Sequence, residues 1–167
     1  MASQLRVDKI LPVDGAPTSG GGGIIQVVST TLTTPTSTTS TSAFEDISGL
    51  SVAITPKFST SKVLLMVSLG SISVNANSVG FRLLRGSTQI GGATSTANQS
   101  GFTNVYAAAA YIMSAYHNFL DSPSTTSATT YKLQWRVASG TGYLGQWKDS
   151  TTDYNGSSTI TAMEVSA

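Results

Sequence analysis

The amino-acid sequence predicts an all-β fold, an antiparallel β-sandwich with jelly-roll topology. Serine and threonine supply 26 and 24 of the 167 residues, and only 10% of the residues are charged. Threonine and other β-branched residues suit pleated strands. From Tyr131 to Val137, apolar and polar side chains alternate, as in a strand with one buried and one solvated face. Strand-like segments, about eight of them, are separated by turn-like sequences, which is typical of a sandwich.

The predicted strands begin at Ile24, with the β-branched run IIQVV. The low-complexity tract PTSTTSTS that follows is either a solvated linker or an exposed edge strand. Two apolar strands come next, and the segment PKFSTSK between them is interpreted as a hairpin connection. Gly86 and Ser87 have the Gly-first sequence of a type II′ turn, which predicts a hairpin between FRLLR and TQIGG.

The stretch GFTNVYAAAAYIMSAYHNFLD is ambiguous. Its four alanines favour a helix by propensity, but its aromatic residues form no clean helical stripe. We therefore predict two strands that meet around the alanines. The clearest strand, TYKLQWRVA, follows after a Pro/Ser/Thr loop, and STITAMEVSA forms the last strand. In that strand we expect Ile160, Ala162 and either Met163 or Val165 to point inward.

Residues 1–23 form a unit of their own. Leu5, Val7 and Ile10 are interspersed with polar residues ahead of Pro12. This pattern fits either a disordered terminus or an extended segment that docks onto another protein. The four glycines at 20–23 would act as a flexible joint. The sequence thus predicts an N-terminal attachment segment, residues 1–23, and a β-sandwich head domain, residues 24–167.

Composition argues against several classes of partner and site. The net charge of +1 gives no electrostatic reason to expect nucleic acid or an anionic membrane surface as a partner. The longest apolar-leaning run, Val105 to Met113, is too short to span a bilayer. The absence of cysteine excludes disulfides and thiolate metal sites within the chain.

The sequence contains few residues that could support catalysis. His117 is the only histidine, which excludes a multi-histidine metal site, and we interpret it as a core or interface residue. The GGGG run lacks the Lys and Ser/Thr of a phosphate-binding loop. Glu45 and Asp46 are adjacent, so in a strand they point to opposite faces. Asp149 and Asp153 could hold a cation, but solvated turn residues are the commoner case. We therefore predict a non-enzymatic protein without cofactor or metal.

Aromatic residues near turns offer better material for binding. Tyr143, Trp147 and Tyr154 lie in the last third of the chain, and aromatic rings stack on sugar faces or anchor protein contacts. The alternative is that Tyr143 and Trp147 pack into the core. Tyr154, within STTDYNGSS, is the stronger candidate for exposure, and all three are candidate receptor contacts.

Segments along nearly the whole chain carry a family likeness: LRVDKILPVDG, GGIIQVV, ISGLSVAITP, SKVLLMVS, LLRGSTQIG, FLDSPSTTSATTYKLQW and STITAMEVSA. Together they resemble the small virion proteins of tailed bacteriophages, above all those of phages that infect marine cyanobacteria. Such proteins are described as tail-fibre-like or structural. The resemblance implies a virion component with a β-rich head behind an N-terminal attachment segment, usually assembled as a homotrimer.

Under this resemblance, Leu5, Val7, Ile10 and Pro12 would anchor the head to another virion protein. The nearly wholly apolar strand VLLMVSLGSI agrees with an oligomer, because a charge-poor head hides more surface in an assembly than alone. The leading hypothesis is a fibre or fibre tip, with a host-surface glycan as candidate receptor. The alternative is a capsid decoration protein. A carbohydrate-active enzyme would need a pair of carboxylates facing one cleft, which the sequence does not place.

Overall fold

The computed structural model describes residues 23–94, 100–106, 111–148, 150 and 153–166. Within these ranges the chain forms eleven β-strands and no helix, and every strand pairing is antiparallel. The strands are β1 (Ile24–Leu32), β2 (Thr36–Thr38), β3 (Glu45–Ile54), β4 (Lys62–Val74), β5 (Ser78–Arg85), β6 (Thr88–Ile90), β7 (Thr103–Tyr106), β8 (Met113–Asp121), β9 (Thr129–Val137), β10 (Gly142–Leu144) and β11 (Ser158–Val165). The predicted all-β antiparallel class is confirmed.

The strands form two sheets. In the first sheet, β1 pairs with β11 and β11 with β4, while β8 lies on the other side of β4. The short strand β10 pairs with the C-terminal end of β4, and β2 pairs with β10. In the second sheet, β3 pairs with β9 and β9 with β5, and both β6 and β7 pair with β5.

The core lies between the inner faces of the two sheets. The alternation predicted for β9 is confirmed, since Tyr131, Leu133, Trp135 and Val137 are all buried. The inward residues of β4 belong to the same cluster, and Phe81 of β5 packs against Trp135 with ring centroids 6.3 Å apart. Side chains of period-two strands from both sheets therefore build a single apolar layer.

Two predicted connections have different outcomes. The hairpin between β5 and β6 is confirmed, and Gly86 at its turn has a positive φ of 58°, a conformation that glycine adopts without steric cost. The hairpin predicted at PKFSTSK is wrong, because β3 belongs to the second sheet and β4 to the first. This segment instead carries the chain across the end of the sandwich.

The remaining predictions concern the alanine run, the Ser/Thr tract and the N-terminal residues. Strands β7 and β8 lie on either side of the alanines, as predicted, and residues 107–110 themselves lie outside the described residues. In the Ser/Thr tract, Thr36–Thr38 form a strand at one margin of the first sheet. Among the described residues, no helix has the length and apolar character needed to cross a membrane. The predicted anchor residues, Leu5, Val7, Ile10 and Pro12, lie outside the described residues.

Strand β11 departs from the prediction at its end. Ile160 and Ala162 point inward as expected, but the next inward residue is Glu164, which is fully buried. Met163 and Val165 face outward and are half-buried, so the expectation that one of them points inward was wrong. The period-two geometry of the strand continues to its end and determines the burial of Glu164 despite its charge.

Hydrogen bonds satisfy the buried carboxylate of Glu164. Its Oε1 accepts from the backbone N–H groups of Lys57 and Phe58 at 2.7 and 3.4 Å, and its Oε2 accepts from the Gln26 amide at 2.5 Å. Burial opposes the charge, but these hydrogen bonds outweigh it and hold the pKa of Glu164 below its usual value. Glu164 therefore ties the β3–β4 connection and β1 to β11.

Candidate functional site

On the outer face of the first sheet, three consecutive rows across four adjacent strands carry no charged side chain, and the exposed Lys62 of β4 lies just beyond the first row. Cross-strand register places the outward residues of β1, β11, β4 and β8 in three rows. The rows are Val27–Met163–Leu64–Leu120, Ser29–Thr161–Met66–Asn118 and Thr31–Thr159–Ser68–Tyr116. We call these twelve residues the neutral face.

The neutral face changes character from one end to the other. The first row is wholly apolar, and the third row carries a hydroxyl group at every position. Hydroxyl pairs on neighbouring strands lie close together, with 2.8 Å between Ser29 Oγ and Thr161 Oγ1. From Val63 to Val67, β4 is apolar on both faces, which is unusual for a strand whose outer face meets water.

A depression of about 480 Å³ lies on this face. Met66 and Met163 contribute apolar surface to it, Tyr116 contributes a ring that is 74% exposed, and Asn118 contributes an amide. Hydroxyl and amide groups can both donate and accept hydrogen bonds. The depression therefore suits an uncharged surface with mixed apolar and polar groups.

The outer face of the second sheet has the opposite character. Asp46 accepts from the Lys132 ammonium at 2.8 Å and from the Gln134 amide at 2.6 Å. The hydrogen bond from Lys132, followed by that from Gln134, holds the pKa of Asp46 below its usual value. Arg82 donates to Gln134 Oε1 at 2.6 Å and lies 4.2 Å from the centroid of the Phe44 ring. Charged networks of this kind are what a water-facing sheet normally carries.

A second candidate surface is the loop between β10 and β11. Trp147 and Tyr154 lie together there, with ring centroids 6.1 Å apart and planes inclined by 57°. Tyr154 is 70% exposed, as predicted, and the Lys148 ammonium lies 5.8 Å from the centroid of the Trp147 ring. Tyr143 is half-buried on β10, ahead of this loop. We call Trp147 and Tyr154 the aromatic pair.

The backbone fixes the base of this loop. Gly145 donates to the carbonyl groups of Gly70 and Ser71 at 3.3 and 3.1 Å, and Gly156 donates to the carbonyl of Gly145 at 3.2 Å. An alanine Cβ at Gly156 would lie 2.4 Å from Ser71 Oγ, so the two ends of the loop pack closely against β4 where its register breaks between Leu69 and Ile72. The aromatic pair is thus presented by a loop whose two ends are tied to the sheet.

His117 lies on β8, in a strand as expected. Its half-buried ring stacks on Phe102 with centroids 4.6 Å apart and planes inclined by 10°. Burial lowers the pKa of His117, and the neighbouring backbone of Gly91 acts in the opposite direction. Its Nε2 has no hydrogen-bond partner among the described residues. The neutral imidazole is therefore favoured, which fits a packing role between the sheets.

The described residues contain no group of three or more His, Asp and Glu side chains placed to hold a metal. Of the two loop aspartates considered from the sequence, Asp149 lies outside the described residues. Asp153 accepts from the Ser150 hydroxyl at 3.1 Å. The adjacent carboxylates of Glu45 and Asp46 have different partners. Glu45 accepts a hydrogen bond from the Thr38 hydroxyl, and Asp46 accepts one from the Lys132 ammonium.

Sequence reasoning found the aromatic pair but missed the neutral face. The face combines alternate residues from four strands that are distant in the chain, and only the doubly apolar pattern of β4 gave a signal. The chain matches no protein-family model, and no curated protein matches it in sequence.

Proposed function

We propose that this chain is a non-enzymatic structural protein of a bacteriophage virion, a fibre or fibre tip. Residues 1–23 attach it to other virion proteins, and residues 24–167 form a β-sandwich head that assembles as a homotrimer. The aromatic pair at the far end of the head contacts a host-surface glycan.

The observation that carries this proposal is the position of the aromatic pair relative to Gly23, the residue at which the proposed attachment segment joins the sandwich. Gly23, which follows that segment in the chain, accepts a hydrogen bond from the Ser166 N–H at 2.9 Å, just beyond the C-terminal end of β11. The loop with the aromatic pair ends where β11 begins, at Ser158. An eight-residue strand spans about 26 Å, so Gly23 and the aromatic pair lie near opposite ends of β11, which supports a fibre tip attached through its N-terminus.

The chemistry of the aromatic pair supports a sugar as the contact. Aromatic rings present flat apolar surfaces, and Tyr and Trp add a hydrogen-bonding group at one end. Tyr154 is largely exposed and Trp147 half-buried, so one ring can stack on a ligand while the other supports it. Lys148 adds a cation beside the rings, which would favour an acidic sugar.

The order of strands supports jelly-roll topology for the head. The order β1–β11–β4–β8 in one sheet faces β3–β9–β5 with β7 beside β5 in the other. Consecutive strands β3, β4 and β5 alternate between the sheets, as in the double Greek key of a jelly roll. Viral capsid and lectin domains use this architecture, which accords with a virion head that binds sugar.

The copy number of the chain in purified virions tests the proposed position. We expect quantitative mass spectrometry to give a low ratio to the major capsid protein, a small multiple of the tail's rotational symmetry. A ratio close to one would contradict the fibre and favour capsid decoration instead. Absence of the chain from purified particles would overturn the virion role itself.

Substitution of the aromatic pair tests the contact with the host. Tyr154→Ala and Trp147→Ala should each lower the rate of phage adsorption at least about tenfold, because a few aromatic residues often dominate binding energy and each ring positions the other. Phe58→Ala is the matched control, an exposed aromatic in the β3–β4 connection at the other end of the head. The contact proposal fails if the variants fold and adsorb like the wild type, or if Phe58→Ala lowers adsorption equally.

A further inference from the structure

We propose that the neutral face is the surface through which copies of this chain contact one another. This inference rests on the homotrimer of the proposed function and assigns its interface. The partner is a second copy of the same chain, and the contact centres on Met66, Asn118 and Thr161 of the middle row.

Exposure of large apolar side chains supports an interface here. Val27, Met66, Tyr116 and Leu120 are 52%, 41%, 74% and 48% exposed, and all four lie on the neutral face. They adjoin the half-buried Leu64 and Met163 in one contiguous surface. Contiguous apolar surface free of charge is the mark of a face that another protein covers.

In the part of the chain that the structure describes, the edges that bound the neutral face are also open to a neighbouring copy. Among the described residues, β1 pairs only with β11, and β8 pairs only with β4. Each is nine residues long and contains no Lys, Arg or Pro, the residues that usually protect an edge. The one carboxylate, Asp121 at the end of β8, is buried.

The second sheet shows the contrast. Its edge strand β3 begins with Glu45 and Asp46 and has a break in register between Asp46 and Ser51. At the opposite side, β6 and β7 contain only three and four residues. Charge, irregular pairing and short length all discourage contact at an edge. Within the described ranges, the edges of the second sheet are therefore protected, whereas β1 and β8 have no partner on their outer sides.

Charge favours a second copy as the occupant. Three neutral faces can meet around the axis of a trimer without burying an unpaired charge, whereas a charged partner surface would lose its hydration without compensation. Four strands about 4.8 Å apart and three rows about 6.8 Å apart cover a plan area of about 400 Å². This plan area is about half of the roughly 800 Å² of accessible surface that each partner buries in a standard interface, and the protruding side chains add to it.

A charge placed on the neutral face tests the proposal. The full-length chain and its Met66→Lys variant would be compared by native mass spectrometry and sedimentation, with circular dichroism to confirm folding. We expect a trimer for the wild type and association at least about a hundredfold weaker for the variant, because symmetry brings like charges together in the interface. Leu120→Lys provides a second exposed position on the same face.

Thr130→Lys is the matched control, since it adds the same charge at an exposed strand position on the outer face of the second sheet. It should leave the trimer intact. If the Met66→Lys and Leu120→Lys variants both fold and both remain trimeric, the proposed interface is overturned. The homotrimer of the proposed function would still stand. Equal dissociation of the Thr130→Lys variant would also overturn it. A monomeric wild type would overturn both proposals.

Discussion

Replacing Glu164 with alanine should lower the free energy of unfolding by about 3 kcal/mol, because it removes the acceptor of several buried donors at once. The backbone N–H groups of Lys57 and Phe58 and the side-chain amide of Gln26 all donate to this carboxylate. For a domain of this size, the loss corresponds to a melting temperature lower by about 6–12 °C. Thermal unfolding followed by circular dichroism would measure it.

The same carboxylate makes stability depend on pH. Because the folded-state pKa of Glu164 lies below its unfolded value, its contribution is fully present above the ordinary glutamate range. That contribution is lost as the pH falls through the lower, folded-state pKa. The difference in stability between wild type and Glu164→Ala should therefore shrink as the pH falls below about 4.

Two further variants test whether the effect is specific to the buried carboxylate. Glu164→Gln keeps the shape of the side chain but places a second amide donor beside the Gln26 amide. Gln26 Nε2 already donates to Thr55 O at 2.7 Å. This variant should lower the free energy of unfolding by about 1–2 kcal/mol at neutral pH. Asp153→Asn, on an exposed carboxylate, should change stability by less than about 0.5 kcal/mol. Equal stability of the Glu164→Ala protein and the wild type would show that the buried carboxylate has no net stabilising effect.

The sequence predicted those parts of the fold that depend on local pattern. The alternation from Tyr131 to Val137 placed β9 and its buried face, and the Gly-first turn at Gly86 placed the β5–β6 hairpin. The β3–β4 connection could not be inferred in the same way. Adjacent apolar strands with a short turn-like segment between them fit either one sheet or two. Which sheet a strand joins depends on distant partners, β9 for β3 and β11 for β4.

Glu164 shows a second limit of sequence reasoning. A glutamate near the end of an alternating strand suggests the solvated face, and inward positions were expected for its apolar neighbours. The structure reverses this because the β3–β4 connection brings two backbone N–H groups to the carboxylate. That acceptor–donor match joins residues more than a hundred positions apart, and no local pattern reveals it.

The two candidate surfaces also differ in how far the sequence could predict them, because one depends on local pattern and the other on distant strands. Tyr154 lies in a polar turn segment, so its exposure could be predicted, whereas its contact with Trp147 required the loop to fold back. The neutral face required the register of four strands. In the sequence, only the doubly apolar pattern of β4 gave a sign of this face.

Replacing Asp121 with alanine should lower the free energy of unfolding by about 2–4 kcal/mol, because it breaks a buried ionic network. The Tyr131 hydroxyl donates to Asp121 Oδ2 at 2.7 Å, and Arg85 Nη1 donates to both carboxylate oxygens at 2.9 Å. Burial, and then the adjacent carboxylate, raise the pKa of Tyr131, so its hydroxyl stays protonated and donates. In the variant, the fully buried hydroxyl loses its acceptor.

A double-mutant cycle separates this hydrogen bond from general damage at the site. Tyr131→Phe alone should cost about 1 kcal/mol, and the double variant should cost less than the sum of the singles by about 1–2 kcal/mol. Asp46→Ala is the matched control, because it breaks the more exposed ion pair with Lys132 and should cost at most about 1 kcal/mol. Chemical denaturation at neutral pH measures the free energy of unfolding of all four variants.

Strict additivity of Asp121→Ala and Tyr131→Phe would show that the two residues stabilise the head independently. A cost for Asp46→Ala equal to that for Asp121→Ala would show that burial does not set the difference between the two pairs.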